Sequence, residues 1–184
     1  MKNKMIFRFS LSDYKRITEH LAKAGEDESF IYALFSKATV DQTTIYLCNR
    51  LLIPDEQQLQ NQSSVSIEPS RQYQAIAYTL AYELGLSIID MHTHPFATKA
   101  RFSSIDDYHG TRNAEYINQH FEDCSTMGMI VFGGGFDSFH ARIWNRDNKC
   151  FDLVDRIEVL GSPTLILSNQ KKSNVSDDSD AWCF

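Results

Sequence analysis

The stretch that most limits how this chain can fold is Gly85-Leu86-Ser87-Ile88-Ile89-Asp90-Met91-His92-Thr93-His94-Pro95. Residues 70–84 carry helical spacing that stops at Gly85, and the apolar run 86–91 then predicts a strand that delivers His92. Side chains alternate across a strand, so His92 and His94 leave it on the same face. Two imidazoles on one face can chelate a single metal ion. A carboxylate further along can fold back as a third ligand, and Phe102-Ser103-Ser104-Ile105-Asp106-Asp107 offers two. Two nitrogens and one oxygen suit zinc with an open fourth position for water, whose pKa the metal lowers toward about 7.

The rest of the chain supplies elements around that strand. Residues 5–9 predict a strand. Residues 12–24 predict a helix capped by Ser12 and ended by Gly25, with Tyr14, Ile17, Leu21 and Ala24 on one face. The apolar run 30–35 predicts a buried strand, and the β-branched stretch 43–53 another. Residues 55–69, rich in Gln and Ser, predict a surface loop with a short edge strand at 65–67. A helix is expected from Ser103 to about residue 121, with a break near Gly110. Strands are expected at 127–132, 139–144 and 150–160, with Gly133, Gly134 and Gly135 turning between the first two. Alternating strands and helices in 184 residues make one α/β domain. That domain is placed at 1–165. Residues 166–184, polar and without periodicity from about Ser168 to Asp180, are expected to form a flexible tail ending in Trp182 and Phe184.

Charge and cysteine usage exclude several classes. The net charge is −6 and there is no long basic run, which argues against nucleic acid as a partner. No segment approaches the roughly 20 apolar residues of a membrane span. Cys48, Cys124, Cys150 and Cys183 form no C-x-x-C pair, so no zinc ribbon is expected. With no secretory-type apolar run near the start, a reduced, cytoplasmic setting is expected. The glycine run lacks the G-K-[ST] of a phosphate loop. A nucleobase deaminase needs H-x-E and P-C-x-x-C, and neither is present.

The motif His92-Thr93-His94-Pro95 followed by Ser103-Ser104-Ile105-Asp106 resembles that of the JAMM (JAB1/MPN/Mov34) zinc metalloprotease family. That motif joins a glutamate at the head of an early apolar strand to H-[ST]-H-P and S-x-x-D. Glu28, abutting the run Phe30 to Phe35, occupies the glutamate's place, with Glu26 as the alternative. The sequence departs from the family in lacking a glycine near Phe35 and in a longer spacing from His94 to Ser103. A second register, Ser104 with Asp107, is also open; Phe102 favours the first, because an apolar residue commonly precedes the family's serine.

The resemblance implies a JAB1/MPN-like mixed β-sheet flanked by helices, with zinc held by His92, His94 and Asp106. It implies Glu28 as general base and Ser103 as a donor to the oxyanion. It further implies a peptidase or isopeptidase that cuts after the C-terminal glycine of a ubiquitin-like protein. The stretches around Pro95-Phe96 and Arg101-Phe102 look similar to bacterial JAB proteins of antiphage operons for ubiquitin-like conjugation, which would make E1-like and E2-like proteins its partners. Within the same fold, a non-catalytic scaffold or a hydrolase of small amino-acid conjugates is the alternative. Asp90-Met91-His92-Thr93-His94 also resembles the D-x-H-x-H of amidohydrolase and phosphoesterase barrels. Those barrels usually place it on their first strand and need a longer chain than this one.

Overall fold

The first six residues of β2 (Phe30–Val40) are all buried, and they divide between two cores. Ile31, Ala33 and Phe35 enter one, while Phe30, Tyr32 and Leu34 enter the other. A strand buried on both faces must lie inside a sheet that is covered on both sides. The computed structural model, which describes residues 3–121 and 125–169, shows such a sheet.

The first half of the chain forms β1 (Lys4–Ser10), α1 (Leu11–Lys23), β2, β3 (Thr43–Leu52), β4 (Leu59–Ser63), β5 (Ser66–Pro69) and α2 (Arg71–Leu84). The second forms β6 (Ser87–His94), α3 (Ser104–His120), β7 (Met127–Gly133), β8 (Phe139–Asn145), β9 (Cys150–Leu153), β10 (Arg156–Leu160) and β11 (Leu165–Ser168). Among the described residues nine strands make one mixed sheet in the order β11-β10-β1-β3-β2-β6-β7-β8-β9, and β4 and β5 form a separate hairpin. The architecture is α/β, a mixed sheet flanked by α1, α2 and α3. Parallel neighbours β6 and β7 are joined through α3, as parallel strands require a crossover.

Helix α1 buries Ile17 and Leu21 in a core shared with Phe7, Phe9, Phe35, Met91 and Ile130. Helices α2 and α3 cover the opposite face with Tyr73, Ala77, Ala81, Ala114 and Ile117. A large apolar side chain such as Ile17 or Leu21 contributes about 1.5–3 kcal/mol by leaving water. Edge-to-face rings, such as Phe9 on Phe35 at 5.3 Å, add packing specificity.

The sheet curls until its two ends meet. β9 and β10 stand near opposite ends of the strand order, yet only Val154 and Asp155 connect them. Val154 N donates to Ala141 O on β8, and Asp155 N donates to Met5 O on β1 at 2.9 Å. Asn169 Nδ2 crosses the junction, donating to Ala141 O at 2.8 Å and Val154 O at 2.6 Å.

Several expectations change. Residues 150–160 do not form one strand, because the chain switches partner from β8 to β1 at the seam. Residues 55–69 hold more than a loop: the strand expected at 65–67 overlaps β5, but it pairs with β4 in a hairpin that follows a 3-10 turn. Ser10, not Ser12, caps α1, accepting from Asp13 N at 3.0 Å. α3 does not break at Gly110; a Cβ there would lie 2.3 Å from Met129 Sδ, so glycine permits close packing on β7. Residue 166, where the tail was expected to begin, falls within β11, and Trp182 and Phe184 lie outside the described residues. Among the described residues no helix is long and apolar enough to cross a membrane.

Candidate metal centre

Strand alternation places the site. Along β6, Ile89 and Met91 enter the core under α1, while Ile88, Asp90, His92 and His94 face the side covered by α2 and α3. β6 lies between β2 and β7, with His92 opposite both Phe30 and Val131. His92 is 3% exposed, so its ring is enclosed by protein.

α3 brings the carboxylate back. Ser103 is its N-cap, and a reciprocal box forms: Asp106 N donates to Ser103 Oγ at 3.2 Å, and Ser103 N donates to Asp106 Oδ2 at 2.7 Å. The box pins the Asp106 side chain at the first turn. Its Oδ1 lies 3.3 Å from His92 Nε2, and its Oδ2 lies 3.5 Å from His94 Nε2. One ligand atom from each of the three residues falls within 4.8 Å of the others.

The segment between His94 and Ser103 is held by the glycine run. A Cβ on Gly134 would lie 2.0 Å from Pro95 O, and one on Gly133 would lie 2.7 Å from Ala97 O. Gly134 N donates to Ala97 O, and Ala100 N to Ser138 Oγ. Glycine is required here for close backbone approach, which explains a run that has no phosphate-loop context.

Glu28 reaches the site from the chain just before β2. Glu28 N donates to Ser63 O at 2.8 Å, and Gln62 Nε2 donates to Glu28 O at 3.0 Å, so the β4–β5 hairpin braces it. Thr93, between the two histidines, accepts from Ser29 N through Oγ1 at 3.0 Å. Thus H-T-H anchors the glutamate segment as well as carrying two of the three candidate ligands. Glu28 Oε1 lies 3.6 Å from His94 Nε2, and Glu28 is 7% exposed. Glu26 is exposed.

Asp107 points elsewhere, forming an ion pair with Arg142. The Arg142 guanidinium is stacked between the Phe102 and Phe151 rings at 4.0 and 4.2 Å. His109 is exposed, and His140 packs on Phe102 at 5.1 Å. His20 lies on α1, beneath the other face of the sheet, and His120 packs at a tilt on Tyr116 near the far end of α3.

Electrostatics ties the group together. Burial disfavours a charged His92, but Asp106 and Asp90 outweigh it and push the metal-free imidazole up to about 10. Burial alone would raise the Asp106 pKa, yet the two imidazoles and the Ser103 amide hold it far below the usual carboxylate range. Glu28 is raised, chiefly by burial, with His92 and His94 pulling the other way. A metal would take the place of protons here, as metal ligands must be deprotonated.

Two contributors escaped the sequence reading. Asp90 appeared there only within D-x-H-x-H, although its position two residues before His92 placed it on the same face. Arg142 carried no local signal, since its partners lie on three other segments.

No protein-family model matches the sequence. No curated protein matches it. The fold is similar to the solution structure of protein DSY2949 from Desulfitobacterium hafniense, with 14% identity and a TM-score of 0.48 over 80% of this chain and 88% of that one. So distant a likeness adds nothing to the site.

Proposed function

We propose that this chain is a zinc-dependent peptidase or isopeptidase of the JAMM type, cleaving after the C-terminal glycine of a ubiquitin-like protein. The observation that carries the reading is Glu28, a buried carboxylate 3.6 Å from His94 at the rim of a His-His-Asp group. The donor set suits zinc, and His92 Nε2 is buried with no hydrogen bond, as expected of a nitrogen kept for a metal. His92, His94 and Asp106 would hold the ion. Zinc bound there supplies a Lewis acid that activates water and polarises a carbonyl.

The chain's own residues complete the reaction. Glu28 accepts a proton from the attacking water, whose oxygen bonds to the scissile carbonyl carbon. As the C–N bond breaks, Glu28 returns the proton to the leaving amine, and a raised pKa suits that shuttle. Ser103 Oγ accepts from Asp106 N, which leaves its own proton to donate to the oxyanion. The β4–β5 hairpin beside Glu28 offers an edge along which an extended tail could pair. Cytoplasmic action beside E1-like and E2-like partners, within an antiphage conjugation system, belongs to the same proposal.

The test is a ubiquitin-like protein fused through its C-terminal glycine to a reporter. Chelator should abolish release and zinc should restore it. Glu28→Gln should keep its zinc while turnover falls about 10²–10⁴-fold, the usual worth of a general base. Full turnover in that variant would remove Glu28 from the mechanism. A purified protein free of zinc and unable to bind it would favour the scaffold.

A further inference from the structure

β6 carries a single charged side chain among the residues leading to its histidines. Ile88, Ile89 and Met91 are at most 1% exposed, and Asp90 sits among them at 9%. Burying a carboxylate costs several kcal/mol unless a partner offsets it. Among the described residues its carboxylate takes part in one hydrogen bond, Oδ1 accepting from His92 Nδ1 at 3.3 Å. The opposite nitrogen, Nε2, stands 3.3 Å from Asp106 Oδ1 and makes no hydrogen bond.

The two ring nitrogens of His92 therefore have different surroundings. A histidine ligand must present a lone pair, and the bond made by its other nitrogen sets which tautomer is present. We propose that Asp90 is a positioning residue that keeps the His92 proton on Nδ1 and turns Nε2 toward Asp106. This rests on the reading of His92 as a metal ligand, and it explains why an otherwise apolar strand tolerates an acid. His94 has no carboxylate at its Nδ1 among the described residues, and its side chain is 19% exposed against 4% for His92. His92 is thus the fixed ligand of the pair and His94 the adaptable one.

Replacing Asp90 by asparagine keeps the volume but reverses the instruction. The amide can donate to Nδ1, which puts the proton on Nε2 and blocks the lone pair, as an Asp-to-Asn change does beside a catalytic histidine. The full-length chain, labelled with 15N, is titrated with zinc against a chromophoric chelator as wild type and as Asp90→Asn. The imidazole nitrogens are then observed by NMR. Wild type should bind zinc with His92 ligated through Nε2 and protonated at Nδ1. Asp90→Asn should bind zinc about 10–100-fold more weakly, the usual cost of losing a supporting group. Equal affinity in the variant, or ligation of wild-type His92 through Nδ1, would overturn the proposal. If the variant does not fold, the ligation mode of the wild type decides alone. A wild type that binds no zinc would instead overturn the metal centre, and Asp90's role with it.

Discussion

Asp106 and Asp107 share one helical turn, yet their surroundings separate their roles. Asp106 meets two imidazoles and closes the cap of α3, whereas Asp107 neutralises Arg142. Asp106→Ala should therefore weaken zinc binding by more than the 10–100-fold typical of a supporting residue. Asp107→Ala should leave zinc stoichiometry intact but lower the denaturation midpoint. Breaking a buried pair costs about 3–5 kcal/mol, and the 28% exposure of Asp107 puts this case at the low end or below. Zinc titration and thermal denaturation of both variants check this, and exchanged effects would make Asp107 the ligand. At this scale the sequence showed the His pair and the S-x-x-D box. It left the register open because the decision rests with Arg142 on a distant strand. Similarly, Glu26 and Glu28 differ by whether Ser63 and Gln62 brace the backbone, which no local pattern reports.

Among the elements, the turn between β7 and β8 bears most directly on the site, although it contributes no ligand. Gly134 lies against Pro95, within the segment that links His94 to the start of α3. Gly134→Val must displace that backbone, at a cost of about 1–3 kcal/mol for overpacking. It should also lower zinc affinity by moving Asp106 relative to the histidines. An unchanged affinity in the folded variant would show that the segment yields without disturbing the ligands. Helices were legible as elements because their apolar faces repeat every three to four residues. In the β4–β5 hairpin the alternation of Val65 and Ile67 gave a strand that overlaps β5, but β4 was not legible, since Leu59 to Ser63 holds a single apolar residue and nothing in it marks a register.

The molecule as a whole is held by two cores and a seam. Apolar runs announced the strands that the cores bury, but the order of those strands and the split at Val154–Asp155 are set by closure of the sheet. Beside the seam, Glu158 on β10 accepts from Arg8 on β1 and from Arg156. Burial tends to raise the Glu158 pKa, but the two guanidinium groups hold it below its ordinary value. A lowered folded-state pKa gives stability that is present above about pH 4.3 and lost as acid drives the pH through the folded value. Glu158→Gln should remove that part of the acid dependence, as denaturant midpoints between neutral and acidic pH would show; an unaltered profile would count against it. A chain ending at Leu153 lacks β10 and β11, which leaves one edge of β1 bare and should favour association, detectable by size-exclusion chromatography. A monomer of normal compactness would show that the sheet closes without them. The seam also orders events during synthesis. Glu28, His92, His94 and Asp106 all leave the ribosome before Asp155, the partner of Met5, has been translated. A nascent chain thus holds every residue of the candidate centre while one edge of its first strand stays unpaired until Arg156 to Leu160 arrive.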